Sequence, residues 1–267
     1  MDQASPASAQ AAPIARKVCV VTGSSSGIGA ATVRLYAERG WNVVVNYSRD
    51  AAAAEAVAED CCARGADVLV HAADVADDGQ CRALAEAVAK RWGRCDVLVN
   101  NAGTTKFVGA RHLDGLDAQD FQRIYAVNVV GAFQMVRALE PLLKASAPAA
   151  VVNVSSIAAL TGMGSSIAYA ASKGALNTLT LALARALGPA IRVNAIAPGL
   201  VETPWLQQGL GPERYAASVQ GYKARAALAD IVTPEDVARA AWYLGVDALK
   251  TSGEVLSVDA GAKLIPL

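Results

Sequence analysis

The sequence predicts an α/β fold: a doubly wound parallel sheet in a single domain. Short continuous apolar runs alternate with helical patterns along the whole chain, which is how strands covered on both faces read. A glycine-rich turn joins the first such run to the first helix, and no repeat or linker interrupts the alternation over 267 residues, so one domain is expected.

KVCVVTG is the first strand, followed by SSSGIGAATVRLYAERG as a helix closed by Gly40. WNVVVNYS reads as the second strand, then a helix from about Asp50 to Arg64, a strand at ADVLVHAAD, a helix from about Asp78 to Trp92, and a strand at CDVLVNNAG. One long helical region is expected from about Asp117 to Lys144, then the strand AVVNVSS, a helix from about Ser166 to Leu187, and the strand IRVNAIAPG. Residues from about 201 to 228 lose the periodicity, hold Pro204, Gly209, Gly211 and Pro212, and read as an irregular substrate lid. Thr233 suits a helix cap and Pro234 the first helical position, and GEVLSVDAG is the last strand.

Lys plus Arg number 24 and Asp plus Glu 24, so no net field draws in nucleic acid or an anionic membrane. His71 and His112 are the only histidines and stand far from any Cys cluster; no metal site is expected. Cys19, Cys61, Cys62, Cys81 and Cys95 contain no CxxC and read as small hydrophobes in a reducing compartment. Residues 1–15 lack the character of a signal peptide and are expected to be a disordered tail, with the domain occupying 16–267. No segment has ~18 uninterrupted apolar residues, the length of a membrane span; a cytoplasmic protein is expected.

The chemistry concentrates at a few places. In TGSSSGIG, Thr22 to Gly29, the glycines Gly23, Gly27 and Gly29 let backbone N–H groups approach a pyrophosphate at a helix N-terminus, although their spacing departs from GxGxxG. In YAASK, Tyr169 and Lys173 stand at i and i+4 on one helix face. A cation ~4 Å from the phenol, at an effective dielectric of ~20, favours phenolate by ~4 kcal/mol, or about three pKa units. The lysine is therefore expected to pull the tyrosine toward neutrality and make it a usable acid and base. Ser156, at the carboxyl end of AVVNVSS, can face the crevice where doubly wound folds bind ligands. Its neighbour Ser155 is the rival for that role, and either serine could instead satisfy local backbone groups.

TGxxxGxG, with NNAG at Asn100 to Gly103, Ser156, YAASK, and PGLVET at Pro198 to Thr203, resembles the short-chain dehydrogenase/reductase family in its compact branch, from about Lys17 to Gly261. The resemblance implies a Rossmann fold and hydride transfer between a nicotinamide and a carbonyl or secondary alcohol. It implies that Ser156 bonds the substrate oxygen, Tyr169 moves the proton, and Lys173 also holds the nicotinamide ribose. Asn128, in YAVNVVG, matches the family's helix asparagine that anchors a water leading from the lysine; a packing amide is the other reading. Cofactor contacts are expected from Gly23, Ser25, Gly27, Ile28 and Gly29, from Asn101 and Gly103, and from Pro198, Gly199, Val201 and Thr203. Asp74 matches the family's adenine-side carboxylate, or is a helix cap.

Folds of this kind that select NAD usually end the second strand in Asp or Glu, and those that select NADP place Arg near the 2′-phosphate. Here Asn46 stands at the acidic position and Arg49 follows, so NADP(H) is expected, with NAD(H) the alternative; Asp50 can cap the next helix. Trp205, Leu206, Leu210, Tyr215 and Tyr222 in the lid suggest closure over a hydrophobic or ring-bearing substrate, or else a core or interface. The closest resemblance within the family is to 3-oxoacyl-[acyl-carrier-protein] reductases and to sugar or polyol dehydrogenases. Carrier-protein users present basic side chains before the serine strand and after the catalytic helix; Lys144 is the only candidate in the first place, which disfavours a carrier-bound substrate. A non-catalytic NADP(H) sensor and an extended-type epimerase are the rival readings. The Ala- and Leu-rich circumference of the Ser166 to Leu187 helix exceeds what one sheet can cover, and the family's habit of pairing such helices points to a homotetramer.

Overall fold

The structure, a computed structural model, describes residues 16–264; the tail expected at 1–15 lies outside the described residues. The chain runs β1 (Val18–Val21), α1 (Gly27–Glu38), β2 (Asn42–Tyr47), α2 (Ala51–Ala63), β3 (Val68–Ala72), α3 (Asp78–Trp92) and β4 (Val97–Asn100). It continues through α4 (Ala118–Tyr125), α5 (Ala132–Ala145), β5 (Ala149–Val154), α6 (Ala158–Thr161), α7 (Ile167–Leu187) and β6 (Ile191–Pro198). α8 (Pro204–Leu210), α9 (Pro212–Arg225), α10 (Pro234–Trp242) and β7 (Val255–Val258) complete it.

All seven strands are parallel, in the order β3-β2-β1-β4-β5-β6-β7. Alternate residues of each strand feed opposite faces. Cys19 and Val21 join Val33, Tyr36, Val57 and Leu244 on one side, while Val18 and Val20 join Leu84, Met135, Leu139 and Leu183 on the other. Each such side chain contributes ~1.5–3 kcal/mol on burial, and two cores clamp the sheet. The order reverses between β1 and β4, which opens a crevice at the strands' carboxyl ends.

Two expectations need correction. The region from Asp117 to Lys144 is not one regular helix: a π-helical turn, Ala126–Gly131, separates α4 from α5. Such turns are rare and mark places where a side chain must be re-aimed; this one carries Asn128 inward, at 1 % exposure. The lid is not irregular either. Pro204 and Pro212 start α8 and α9, at the one helical position where a missing N–H costs nothing.

α10 opens with a capping box between Thr233 and Asp236, as the TPED signal predicts. A second π-helical turn, Tyr243–Asp247, follows it. Arg192 donates to the carbonyls of Leu244 (2.7 Å) and Gly245 (2.9 Å) there.

Candidate active site

The glycine turn sits where β1 meets the crevice. Gly23 (φ 60°) and Gly27 (φ 52°) occupy left-handed backbone that side chains rarely adopt. A Cβ on Gly29 would stand 2.5 Å from the Gly23 carbonyl oxygen and 2.6 Å from Asn101 Nδ2, so the turn closes only on glycine. Asn101 Nδ2 donates to the carbonyls of Thr22 and Gly23, both at 2.9 Å, while the N–H groups of Asn101 and Ala102 donate to Thr22 Oγ1, both at 3.0 Å. NNAG is thereby stitched to the turn. Asp50, Asp77 and Ser166 cap α2, α3 and α7, yet no side chain caps α1 and no acidic residue stands in its first turn. Its N–H groups, those of Gly27, Ile28 and Gly29 among them, suit an anion.

Asn46 reaches the turn from beneath. Its Oδ1 accepts from Gly23 N–H (2.9 Å), and its Nδ2 donates to the carbonyls of His71 (3.2 Å) and Ala73 (3.0 Å). At 1 % exposure, with both amide atoms engaged, Asn46 shapes the turn and presents no free polar atom where the expected ribose contact would be. Arg49 lies beyond the end of β2, exposed and with no partner among the described residues. Asp50 caps α2 through Ala53 N–H (3.0 Å). Asp74 is exposed and accepts from Ala76 N–H (3.0 Å); the cap of α3 is Asp77, which removes the helix-cap reading of Asp74.

Across the crevice, Ser156 follows β5 and lies close enough to the Tyr169 hydroxyl to act on its ionisation. Its oxygen also accepts from Ala158 N–H (3.1 Å). Ser155 is buried, its hydroxyl turned to the Lys173 carbonyl (3.3 Å), so Ser156 alone of the two meets the tyrosine. Lys173 is 4 % exposed; its ammonium donates to the Val154 carbonyl at 2.8 Å and stands 5.6 Å from the centre of the Tyr169 ring. Gly103 faces both Asn128 Oδ1 and Lys173 Nζ, its missing Cβ lying 3.6 and 3.7 Å from them. Asn128 Oδ1 accepts from Thr104 N–H (2.8 Å), and its Nδ2 donates to the Thr104 carbonyl and to Ser172 Oγ, both at 3.0 Å.

The electrostatics of the pair reverse the expectation. Burial pushes the Tyr169 phenol up to about 12, opposed only in part by the neighbouring Ser156 hydroxyl. Burial also pulls Lys173 down to about 8. Desolvation dominates, with the ammonium turned to a carbonyl and not to the phenol oxygen. Tyr169 is thus held as an acid at neutral pH, with a proton to give.

PGLVET closes the site. Gly199 N–H donates to the Val258 carbonyl (2.9 Å), Ile157 N–H donates to the Pro198 carbonyl (3.0 Å), and buried Val201 bridges to Val232. Thr203 caps α8, and its Cγ2 lies 3.2 Å from where a Gly27 Cβ would be, so it reaches the phosphate turn. From α8, Trp205 stands over the chemistry, its ring 6.4 Å from that of Tyr169 and 5.4 Å from that of Phe107. Tyr222 is instead buried, its hydroxyl donating to the Asp259 carbonyl (2.7 Å). A cavity of about 460 Å³ lined by Glu202, Tyr215, Lys223 and Asp230 includes none of Ser156, Tyr169 or Lys173; the chemistry, not the volume, locates the site.

Sequence reasoning missed Phe107 and Ser172. Neither carries a local signal: each acquires its partner from a segment remote in sequence. Burial pushes the thiols of Cys19, Cys61, Cys81 and Cys95 up, which leaves them unreactive. Among the described residues no group of three or more His, Cys, Asp or Glu could hold a metal, and no helix is long and apolar enough to cross a membrane.

A parallel sheet with a phosphate-shaped turn on one side of its crevice and a serine, tyrosine and lysine on the other defines a nucleotide-dependent oxidoreductase. Comparison with known proteins agrees. The family model described as Enoyl-(Acyl carrier protein) reductase matches residues 23–263. A relative from Streptomyces violaceoruber, named as a granaticin polyketide synthase ketoacyl reductase, is 42% identical and covers 93% of this chain and 96% of its own. Cis-4-hydroxycyclohexanecarboxylate dehydrogenase from Sinomonas cyclohexanicum is 36% identical, over 92% of this chain and 96% of its own. A crystal structure from Burkholderia xenovorans, described as a short-chain dehydrogenase/reductase, superposes with a TM-score of 0.87 at 44% identity, covering 93% of this chain and 98% of that one. The chain belongs to the short-chain dehydrogenase/reductase family, whose fold and oxidoreductase class it shares.

Proposed function

We propose that the protein is an NADP(H)-dependent reductase of a ring-bearing ketone, or the dehydrogenase of the corresponding alcohol. The observation that carries the reading is the Ser156, Tyr169 and Lys173 constellation facing the phosphate turn across the crevice. The residues present fit a dinucleotide: the Gly29 cradle and the uncapped N-terminus of α1 suit its pyrophosphate, and Arg49 suits a 2′-phosphate. We assign the remainder of that path to Ser25, Ile28, Asp74, Asn101, Gly103, Pro198, Gly199, Val201 and Thr203. Bound there, a nicotinamide supplies or accepts the hydride.

Ser156 holds the substrate oxygen, and Tyr169 gives its proton to that oxygen as negative charge develops on it. Lys173, its buried ammonium on the Val154 carbonyl and 5.6 Å from the centre of the phenol ring, is assigned to hold the nicotinamide ribose. Asn128 fixes the backbone around Gly103 and keeps the proton path from the lysine open. Trp205 and Phe107 form an apolar aromatic wall over the phenol, which suits a ring-bearing substrate. The printed name of the cyclohexane-ring relative is in line with this.

A carrier-bound 3-oxoacyl substrate is the second reading, favoured by the family description and by the polyketide relative. Against it, Lys144 is paired with Glu140 (2.7 Å) and Arg192 is committed to internal carbonyls, so the two expected places offer no free cation. A pure cofactor sensor has no use for a buried lysine beside a phenol. Exposed apolar side chains on α4, α5 and α7, among them Phe121, Phe133, Ile167 and Leu181, support the homotetramer. The free cysteines are in line with a reducing, cytoplasmic compartment.

The experiment is a panel of cyclic, aryl and linear ketones, with an acyl-carrier thioester included, each with NADPH and NADH and read at the nicotinamide absorbance. Fastest turnover of a cyclic or aryl ketone with NADPH is the expected result. Turnover of the thioester alone would favour the carrier reading, and turnover of nothing would refute the enzyme reading.

A further inference from the structure

The π-helical turn that carries Asn128 packs against α7, and one hydroxyl joins them. Ser172 is fully buried. Its Oγ donates to the Tyr169 carbonyl at 2.7 Å and accepts from Asn128 Nδ2 at 3.0 Å. The direction is forced, because a carbonyl can only accept: the serine proton goes to Tyr169, and a lone pair is left for the amide. The remaining Asn128 bonds all go to Thr104. Reversing the amide would aim its oxygen at the Thr104 carbonyl and at a serine oxygen whose proton is already committed, so Thr104 and Ser172 together fix which way Asn128 points.

Resting on the hydride-transfer reading above, we infer that Ser172 is a positioning residue. It clasps Asn128 to the helix turn that presents Tyr169 and Lys173, and so sets the geometry in which the proton is passed. The same chain holds an internal comparison. Thr180, further along α7, donates to the Leu176 carbonyl (2.8 Å) and accepts from Asn153 Nδ2 (2.9 Å). The two clasps share their chemistry, but only the first bonds the backbone of Tyr169. The first therefore serves catalysis and the second serves packing.

The test compares Ser172→Ala with Thr180→Val in the full chain, using the fastest ketone of the panel and NADPH. Leaving one buried amide N–H without its acceptor corresponds to about a tenfold loss in kcat for Ser172→Ala. KM for NADPH should stay within about twofold, and the kcat–pH profile should shift. Thr180→Val should lower the unfolding temperature while kcat and its pH profile hold. Ser172→Ala added to Asn128→Ala should slow the enzyme no further, because the serine acts through the asparagine. Ser172→Cys, which fills the site with a weaker donor and acceptor, is read in the same way if the alanine chain does not fold. Unchanged kcat in the Ser172 variant, losses that multiply in the double variant, or an equal kcat loss in Thr180→Val would each overturn the inference. A wild-type chain that turns over no ketone overturns the hydride-transfer reading and takes this inference with it; an active wild type with an unaffected Ser172 variant overturns this inference alone.

Discussion

Lys173→Met separates what the lysine does for the reaction from what it does to the fold. The ammonium is 4 % exposed, and burial alone pulls it from an ordinary 10.5 to about 8. At ~1.4 kcal/mol per unit, keeping that proton in the folded state near pH 7 costs about 3 kcal/mol. Methionine fills a similar volume without the charge, and its cost is a Val154 carbonyl left without its donor, about 1–3 kcal/mol. The variant should therefore be at least as stable as the wild type at pH 7, although ketone turnover is lost. The sign of the pH effect follows from which state holds the proton. Between about 8 and 10.5 the unfolded lysine keeps a proton that the folded one has released, so wild-type stability rises with pH. Relative to the variant, the wild type should gain about 2–3 kcal/mol between pH 7 and pH 10. Urea unfolding followed by tryptophan fluorescence, at both pH values and one protein concentration, measures the difference. A gap between the two proteins that does not change with pH would refute the reasoning.

Other outcomes follow from the same geometry. Tyr169→Phe should lower kcat by ~10²–10⁴-fold while NADPH binding, followed by fluorescence, stays near wild type; near-normal turnover would remove Tyr169 from the proton's path. Arg49→Ala should weaken NADPH by roughly 1.5–3 kcal/mol, the range for hydrogen bonds to charged groups, and leave NADH unchanged; equal losses in calorimetric titrations would assign the phosphate to another residue. A side chain at Gly209 would overlap the ring of Phe107, so Gly209→Val should tilt α8 and raise KM for ring-bearing ketones with little effect on NADPH affinity, and an unaltered ketone KM counts against the aromatic wall. Light scattering at micromolar concentration should give a tetramer, and a stable monomer would leave the apolar faces of α4, α5 and α7 unexplained.

The sequence by itself determined the parallel sheet, the phosphate turn and the pairing of Tyr169 with Lys173. Each of these is written in a short-range code. Strand and helix periods need only a few residues, the turn needs glycines at fixed positions, and i, i+4 spacing puts two side chains on one face wherever a helix forms. It left Ser155 and Ser156 as rivals, and the packing turns the Ser155 hydroxyl inward to the Lys173 carbonyl. Only the tertiary structure decided what those groups do to one another. Asn46 is absorbed beneath the turn by carbonyls of His71 and Ala73, and Asn128 is turned inward by Thr104 and Ser172. Prolines that read as breakers start α8 and α9, which carry Trp205 onto Tyr169. The phenol moves up rather than down because desolvation depends on everything packed around a group, whereas the spacing of two residues states only how near they are. Burial and the partners of an amide are long-range properties, fixed when segments far apart in the chain close the same space.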